Sequence, residues 1–231
     1  IKLEQVSNDT YLKKYNILSP IKNTSNLNSK LELSGSTENL FYTASMEVNE
    51  SLNKIESDRY EYIFPNFSFT RNLNQNFNIL GNLDFTSSGH SKLYNTNVKE
   101  NILVNDLEFK SNDKINNKGF VSNVKYLIKN FNSEAQKSTN YKSDYDSGLM
   151  GIFSYESKLP LINLNEDKSK EIFTPKLVFK YSPNKTKSMK NSDRLINIDN
   201  IFSLNRLSTS DTVEGGESVT IGAEYKKFNK N

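Results

Sequence analysis

The chain has 231 residues, a formal net charge of +3, 35% hydrophobic residues, 11% aromatic residues and no cysteine. The lack of cysteine excludes thiolate metal sites, cysteine nucleophiles and disulfides, and the even spread of Lys and Arg argues against a nucleic-acid-binding stripe. A polar chain that is rich in Phe and Tyr is typical of two-faced strands with one wet face, since disordered chains are poor in aromatic residues.

Strict alternation of apolar and polar residues recurs along the chain, and this period of two predicts β-strands. No segment has the spacing of an amphipathic helix, so the sequence predicts essentially no helix. The apolar positions of the five clearest segments are Leu40, Tyr42, Ala44, Met46 and Val48; Phe77, Ile79, Leu83 and Phe85; Phe120, Val124, Tyr126 and Ile128; Leu149, Phe153 and Tyr155; and Phe173, Leu177, Phe179 and Tyr181. The positions between them are mostly polar, for example Asn76, Asn78, Asn82 and Asp84.

The segment YEYIFPNFSF at 60–69 contains a proline between two groups of aromatic residues. Proline has no backbone N–H and cannot donate to the ladder of a sheet. Pro65 therefore predicts a bulge or kink within one strand, or else a corner at which two strands meet. Both interpretations keep the segment in a sheet.

The connections between these segments differ in length. The sequence predicts short turns at 36–39 and 71–75 and long polar loops at 87–100, 130–147 and 185–197. Tight turns that alternate with long loops are expected of an outer-membrane barrel. No internal repeat or linker divides the chain, so it is predicted to be one domain.

Residues for catalysis are scarce. His90 is the only histidine and lies in SSGHSK, a composition that predicts a solvated loop. Without cysteine or a second histidine, neither a zinc site nor a histidine-activated nucleophile can be built within the chain. We therefore predict no metal site, no cofactor and no enzymatic activity.

The segment at 205–217 is polar and charged, yet a regular strand pattern with Val219, Ile221 and Tyr225 follows it. Gly215 and Gly216 predict a sharp entry into that strand, because glycine adopts torsion angles that other residues avoid. Arg206 is close enough in sequence to Asp211 and Glu214 to pair with one of them. This segment is therefore predicted to be a loop at a rim or folded into a mouth, with a solvated flexible loop as the alternative.

Four segments, in this order, resemble the barrel of the LPS-assembly outer-membrane protein family, also called the organic-solvent-tolerance family. They are SNDTYLKKY at 7–15, DRYEYIFPNFSF at 58–69, TPKLVFKYSP at 174–183 and NIFSLNRLSTSDTVEGGESVTIGAEY at 200–225. In the family, the Tyr-Leu pair of the first segment begins a short strand. The last segment carries most of the resemblance, at Asn205, Arg206, Asp211, Gly215, Gly216, Gly222 and Tyr225.

The resemblance implies a curved antiparallel meander of about 8–11 strands in the outer membrane of a Gram-negative bacterium. It also implies a barrel that receives lipopolysaccharide (LPS) from a periplasmic bridge of proteins, holds a lipoprotein plug in its lumen and releases LPS into the outer leaflet. Residues 1–231 would be a central part of that barrel, without the periplasmic jelly-roll domain and without the first and last strands. Strand tyrosines would contact outer-membrane lipid, and the candidates are Tyr60, Tyr62, Tyr126 and Tyr181.

The alternation by itself is also compatible with other proteins. A different outer-membrane barrel, such as a porin or receptor, has the same two-faced strands. A soluble antiparallel sheet that serves as a binding or adhesion module would bury one face of each strand against a core. Both remain alternatives on the sequence pattern alone.

Overall fold

The computed structural model describes residues 1–14, 25–54, 58–74, 80–164, 169–185, 196–207, 209 and 211–228. Within these ranges the protein has eleven strands and one four-residue helix. The elements are α1 (Tyr11–Lys14), β1 (Asn26–Ser36), β2 (Leu40–Ser51), β3 (Tyr60–Asn72), β4 (Gly81–Tyr94), β5 (Val98–Ser111), β6 (Lys114–Ile115), β7 (Val121–Gln136), β8 (Asp146–Lys158), β9 (Leu161–Leu164), β10 (Lys170–Ser182) and β11 (Gly216–Phe228).

The strands form one antiparallel meander, which confirms the predicted fold class. The sheet order is β1-β2-β3-β4-β5-β7-β8-β10-β11, with the short strands β6 and β9 paired to β7 and β10. The long strands contain 11 to 16 residues, well above the roughly 5–6 that are usual in globular proteins. Among the described residues, no helix has the length and apolar character needed to cross a membrane.

The chain divides into two compact units. The first contains Ile1–Arg71, Thr86–Asn105 and Phe131–Gly148. The second contains Asn72–Phe85, Asp106–Asn130 and Leu149–Asn231. Strands β3, β4, β5, β7 and β8 contribute residues to both units.

In the first unit the two faces of the sheet differ sharply in chemistry. One face, which we call the apolar face, exposes Leu31, Leu33 and Met46. On the opposite, polar face, the Lys30 ammonium lies 3.3 Å from the Glu47 carboxylate. A chain of side-chain hydrogen bonds also crosses this face from Asn28 to Asn49 (2.7 Å) and on to Glu61 (3.2 Å).

The second unit repeats this arrangement with its own apolar and polar faces. Along β7, Tyr126 and Ile128 are exposed, whereas Asn123, Leu127 and Lys129 are buried. A soluble sheet buries its apolar residues and exposes its polar ones. Burial in this unit is therefore inverted relative to a soluble protein. The same inversion recurs in β11, whose exposed residues are Val219, Ile221 and Tyr225 and whose buried residue is Thr220.

Pro65 lies at a bulge inside the continuous strand β3. Ser45 of β2 pairs with Asn66 and Glu47 pairs with Ile63, so two residues of β3 stand opposite one residue of β2. The extra residue reverses the alternation. As a result Phe67 pairs with Ala44 on the apolar face, instead of turning to the polar face as uninterrupted alternation would require.

Two of the predicted long loops are much shorter than predicted. Residues 87–94 and 98–100 belong to β4 and β5, so only 95–97 form a turn, and β7 continues to Gln136. Polar side chains in these extensions pair with each other across strands, as between Ser87 and Asn105 (2.8 Å) and between Ser91 and Asn101 (2.7 Å). His90 consequently lies in β4, half-buried, and not in a loop. The composition resembled a loop because a wet strand face can carry the same polar residues.

The Tyr-Leu pair expected to begin a strand lies instead in α1. The backbone N–H of Thr10 donates to the Asn8 side-chain oxygen at 2.9 Å, which caps this single turn. Leu12 is buried against Leu27 and Leu52. The cap and this apolar contact favour a turn of helix over a strand. Of the other predicted positions, residues 76–79 lie outside the described ranges.

Because the family resemblance places the apolar face in lipid, we expect opposite responses to charge at two adjacent residues of β1. Leu33 is 65% exposed on the apolar face, and Ser34 lies on the polar face. In the intact protein, Leu33→Arg should lower the free energy of unfolding by about 2–4 kcal/mol near the bilayer midplane. Ser34→Arg should change it by no more than about 0.5 kcal/mol. Urea titrations in lipid vesicles measure both values, and equal effects would contradict the assigned faces.

Candidate functional site

The connection between β10 and β11 is a long polar loop. It spans residues 183–215, of which 183–185, 196–207, 209 and 211–215 are described. Three consecutive residues near its end, Asp211, Thr212 and Val213, are buried. The loop therefore packs against the protein, and the contacts below place it on the polar face of the second unit.

An apolar contact anchors the loop. Val213 is 0% exposed and packs with Leu127 of β7 and Ile152 of β8, with Met150 and Leu204 at the edge of the cluster. Leu127 and Ile152 are apolar residues on an otherwise polar face. They give the loop a small hydrophobic site on a surface that is otherwise suited to water.

A second contact involves Phe202 and a glycine of β11. A Cβ atom added to Gly222 would lie 2.8 Å from Cζ of the Phe202 ring, closer than such atoms approach. Glycine at this position therefore leaves the space that the ring occupies. The Lys176 ammonium lies 4.6 Å from the centre of the same ring, at a distance typical of a cation–π contact. Sequence reasoning missed Phe202, although Gly222 was part of the family resemblance.

Polar contacts within the loop join its two ends. The Asn205 side-chain oxygen accepts from the backbone N–H of Leu207 (3.3 Å) and of Glu214 (3.1 Å), and its amide donates to the Thr212 carbonyl (3.0 Å). Beside it, Arg206 Nε donates to Glu214 Oε2 at 2.7 Å, and Arg206 Nη2 contacts Glu214 Oε1. This two-point contact is the geometry that a planar guanidinium favours with a carboxylate.

The Arg206–Glu214 pair is shielded from solvent, with side chains only 11% and 21% exposed. The hydrogen bond that Arg206 donates to the Glu214 carboxylate raises the pKa of Arg206 above its ordinary value. Arg206 therefore stays charged throughout the physiological range. One further polar contact ties the loop to β10, where the buried Lys180 ammonium donates to the Ser203 carbonyl oxygen.

Three of the residues predicted from the sequence, Asn205, Arg206 and Glu214, lie together in the structure. Asp211 lies in the buried part of the loop. Gly215 precedes β11. Gly216 begins that strand with φ +87°, a left-handed torsion angle that favours glycine. The loop predicted at 205–217 therefore ends two residues earlier, because Gly216 and Glu217 already belong to β11.

These contacts indicate that the loop has a structural role. Within the described ranges, no group of three or more His, Cys, Asp or Glu residues could hold a metal ion. Arg206 and Glu214 of the loop are paired with each other. The arrangement can shape and partly fill the polar face of the second unit.

The sequence model of the family described as LPS transport system D (LptD) matches residues 1–231, the whole chain. No curated protein shows a significant match.

If Val213 anchors the loop, replacing its side chain with a smaller one should destabilise the protein. The same replacement of an exposed valine on the apolar face should not. Val213→Ala removes buried methyl groups and leaves a cavity, which should cost about 1.5–3 kcal/mol. The matched control is Val219→Ala, because Val219 is 62% exposed on β11. Proteolysis of the loop should accelerate in the first variant alone. Equal protease sensitivity of the two variants would remove the anchoring role.

Proposed function

Because the chain belongs to the LPS transport system D family, the outer-membrane component of LPS transport, we propose that residues 1–231 form the central part of its transmembrane barrel. The membership does not favour a porin, a receptor or a soluble binding module. The remaining strands and a periplasmic jelly-roll domain would come from other parts of the full-length protein.

The observation that carries this proposal is the inverted burial of the strands. Exposed apolar residues, such as Ile221 (76%) and Val219 (62%), would be unfavourable in water over so large a surface. In a bilayer the same residues contact acyl chains. The antiparallel ladder satisfies the backbone hydrogen bonds between strands, as a spanning sheet requires.

The polar face would line the route taken by the hydrophilic part of LPS. Saccharide hydroxyl groups need hydrogen-bond partners, and this face offers amides, hydroxyls and charged groups in both units. Examples are Asn28 and Asn49 in the first unit and Asn123 and Lys125 in the second. The acyl chains of LPS would avoid such a surface, since burial of unpaired polar groups against hydrocarbon is costly.

The loop between β10 and β11 would set the width of this route beside the second unit. Its apolar anchor at Val213 and its Arg206–Glu214 pair hold it in a defined conformation. A flexible loop would block passage at random, whereas a fixed loop leaves a constant opening. The same contacts would also help β10 and β11 to pair during assembly, because the loop connects these two strands.

Members of the family bind LPS and work with other Lpt proteins, and they are outer-membrane proteins of Gram-negative bacteria. For this chain we infer a lipoprotein plug within the barrel and periplasmic bridge proteins at a periplasmic domain of the full-length protein. Outer-membrane lipid would surround the apolar face, including Tyr60, Tyr62, Tyr126 and Tyr181, all of which are exposed. The role is one of transport, with no catalytic step and no cofactor.

A depletion strain tests this function. The native full-length protein should restore LPS at the cell surface. Arg206→Ala leaves the half-buried Glu214 carboxylate without its partner, at a cost on the order of 1–3 kcal/mol, so the loop should become protease-sensitive and surface LPS should fall severalfold. Arg206→Lys should restore part of the signal, since it keeps the charge and loses the two-point geometry.

The matched control is Arg71→Ala, because Arg71 is exposed at the end of β3. It should support normal surface LPS. Normal surface LPS after depletion of the whole protein would refute the transport function. Normal surface LPS with Arg206→Ala alone would refute only the role of the loop.

A further inference from the structure

Three lysines converge on one carboxylate on the polar face of the second unit. Glu156 of β8 is buried, and its Oε2 atom lies 3.3 Å from the Lys125 ammonium and 3.4 Å from the Lys176 ammonium. Its Oε1 atom lies 4.0 Å from the Lys158 ammonium. We call Lys125, Lys158 and Lys176 the lysine cluster.

The three ammonium groups of the lysine cluster outnumber the carboxylates that contact them directly. Lys158 also contacts Asp113 at 3.4 Å, so three ammonium groups share two carboxylates. Glu108 also lies within electrostatic range of Lys125, and Lys110, Asp84 and Asp106 lie near Glu108, with Asp106 paired to Lys129. The polar face of the first unit shows the opposite ratio, because Lys30 there contacts both Glu32 and Glu47.

The lysine cluster is partly open to solvent. Its side chains are 16–30% exposed, whereas Glu156 beneath them is only 7% exposed. Each ammonium has three N–H donors, and the ion pairs above use only part of them. Phe202 of the loop contacts Lys176 through its ring and offers no hydrogen-bond acceptor. Donors and positive charge are therefore accessible from the polar face.

We propose that the lysine cluster binds phosphate groups on the saccharide part of LPS, an assignment that rests on the transport function proposed above. A phosphate monoester carries up to two negative charges and three acceptor oxygens, which matches a surplus of ammonium donors. Lysine suits a passing ligand because it binds phosphate as a mobile point charge and imposes no fixed two-point geometry.

Glu156 makes this binding reversible. In the absence of phosphate it neutralises part of the cluster and keeps the ammonium groups close together. An arriving phosphate competes with this carboxylate for the same donors, so Glu156 weakens the bound state and promotes release. A transport route requires such release, since a ligand held too tightly would stop the flow.

Binding to the purified full-length protein, with its partner proteins and in detergent, tests the proposal by calorimetry at low ionic strength. The probes are the phosphorylated core oligosaccharide of LPS, the same oligosaccharide after removal of its phosphates, and inorganic phosphate. The native protein should prefer the phosphorylated oligosaccharide to both other probes, and added salt should weaken that preference.

Substitution of the lysines and substitution of Glu156 should change the affinity for the phosphorylated probe in opposite directions. Lys125→Gln and Lys176→Gln should each lower the affinity for the phosphorylated probe about threefold to tenfold, whereas Glu156→Gln should raise it by a similar factor. Lys176→Arg should keep most of the affinity, because the charge remains. Lys54→Gln is the control, since Lys54 lies in the exposed connection between β2 and β3. The difference in gel mobility between unheated and heated samples verifies that each variant is folded.

Weaker binding by folded Glu156→Gln would show that Glu156 only stabilises the fold, and it would overturn the proposal. If that variant does not fold, unchanged binding by Lys125→Gln and Lys176→Gln would overturn it equally. Equal affinity for the phosphorylated and dephosphorylated oligosaccharides would also overturn the proposal, but it would leave the transport function intact. Inorganic phosphate bound as tightly as the phosphorylated oligosaccharide would indicate a small-anion site instead.

Discussion

The structure depends on the pairing of backbone N–H and C=O groups between neighbouring strands. In hydrocarbon each unpaired group costs several kcal/mol, so a spanning sheet must satisfy them within itself. β1 and β2 pair without interruption from Asn26↔Ser51 to Ser36↔Phe41, and β10 and β11 pair from Lys170↔Phe228 to Ser182↔Gly216. This ladder does not depend on side-chain polarity, and one face can therefore be apolar while the other is charged.

The inverted faces explain why a charged loop can pack against the sheet. A soluble sheet would present an apolar surface to its interior, on which the Arg206–Glu214 pair would be costly to bury. Here the polar face already carries lysines and carboxylates, and the loop adds its own paired charges to them. Leu127 and Ile152 supply the small apolar contact that fixes its position. The loop is thus held by a few specific contacts on a surface that otherwise favours water.

The alternation of residues was sufficient to predict β2, β7, β8, β10 and β11, because a period of two survives any change in loop length. It was not sufficient to predict where strands end. Residues 87–94 look like a loop in composition, yet they continue β4, since Ser87 and Ser91 pair with polar partners across the sheet. The helix at Tyr11–Lys14 depends on a cap and on the burial of Leu12 against distant leucines. Long-range contacts of this kind leave no local periodic signal.

In the candidate site, too, local signals could be predicted from the sequence and long-range contacts could not. Arg206, Glu214 and Gly216 were predicted from charge spacing and glycine conformation, which are local properties. Phe202 was missed because its partner Gly222 lies in a strand, and only the folded chain brings the ring over that glycine. The lysine cluster was missed for a similar reason, since its members come from β7, β8 and β10.

The central claim is that one face of the sheet contacts lipid and the other contacts water. Spin labels placed singly at residues 30–34 of β1 in the full-length protein, reconstituted in lipid, test it most directly. Collision with oxygen, which concentrates in lipid, should be high at Leu31 and Leu33. Collision with a water-soluble nickel complex should be high at Lys30, Glu32 and Ser34. Five positions with the same accessibility, or an alternation of the opposite sign, would contradict the account.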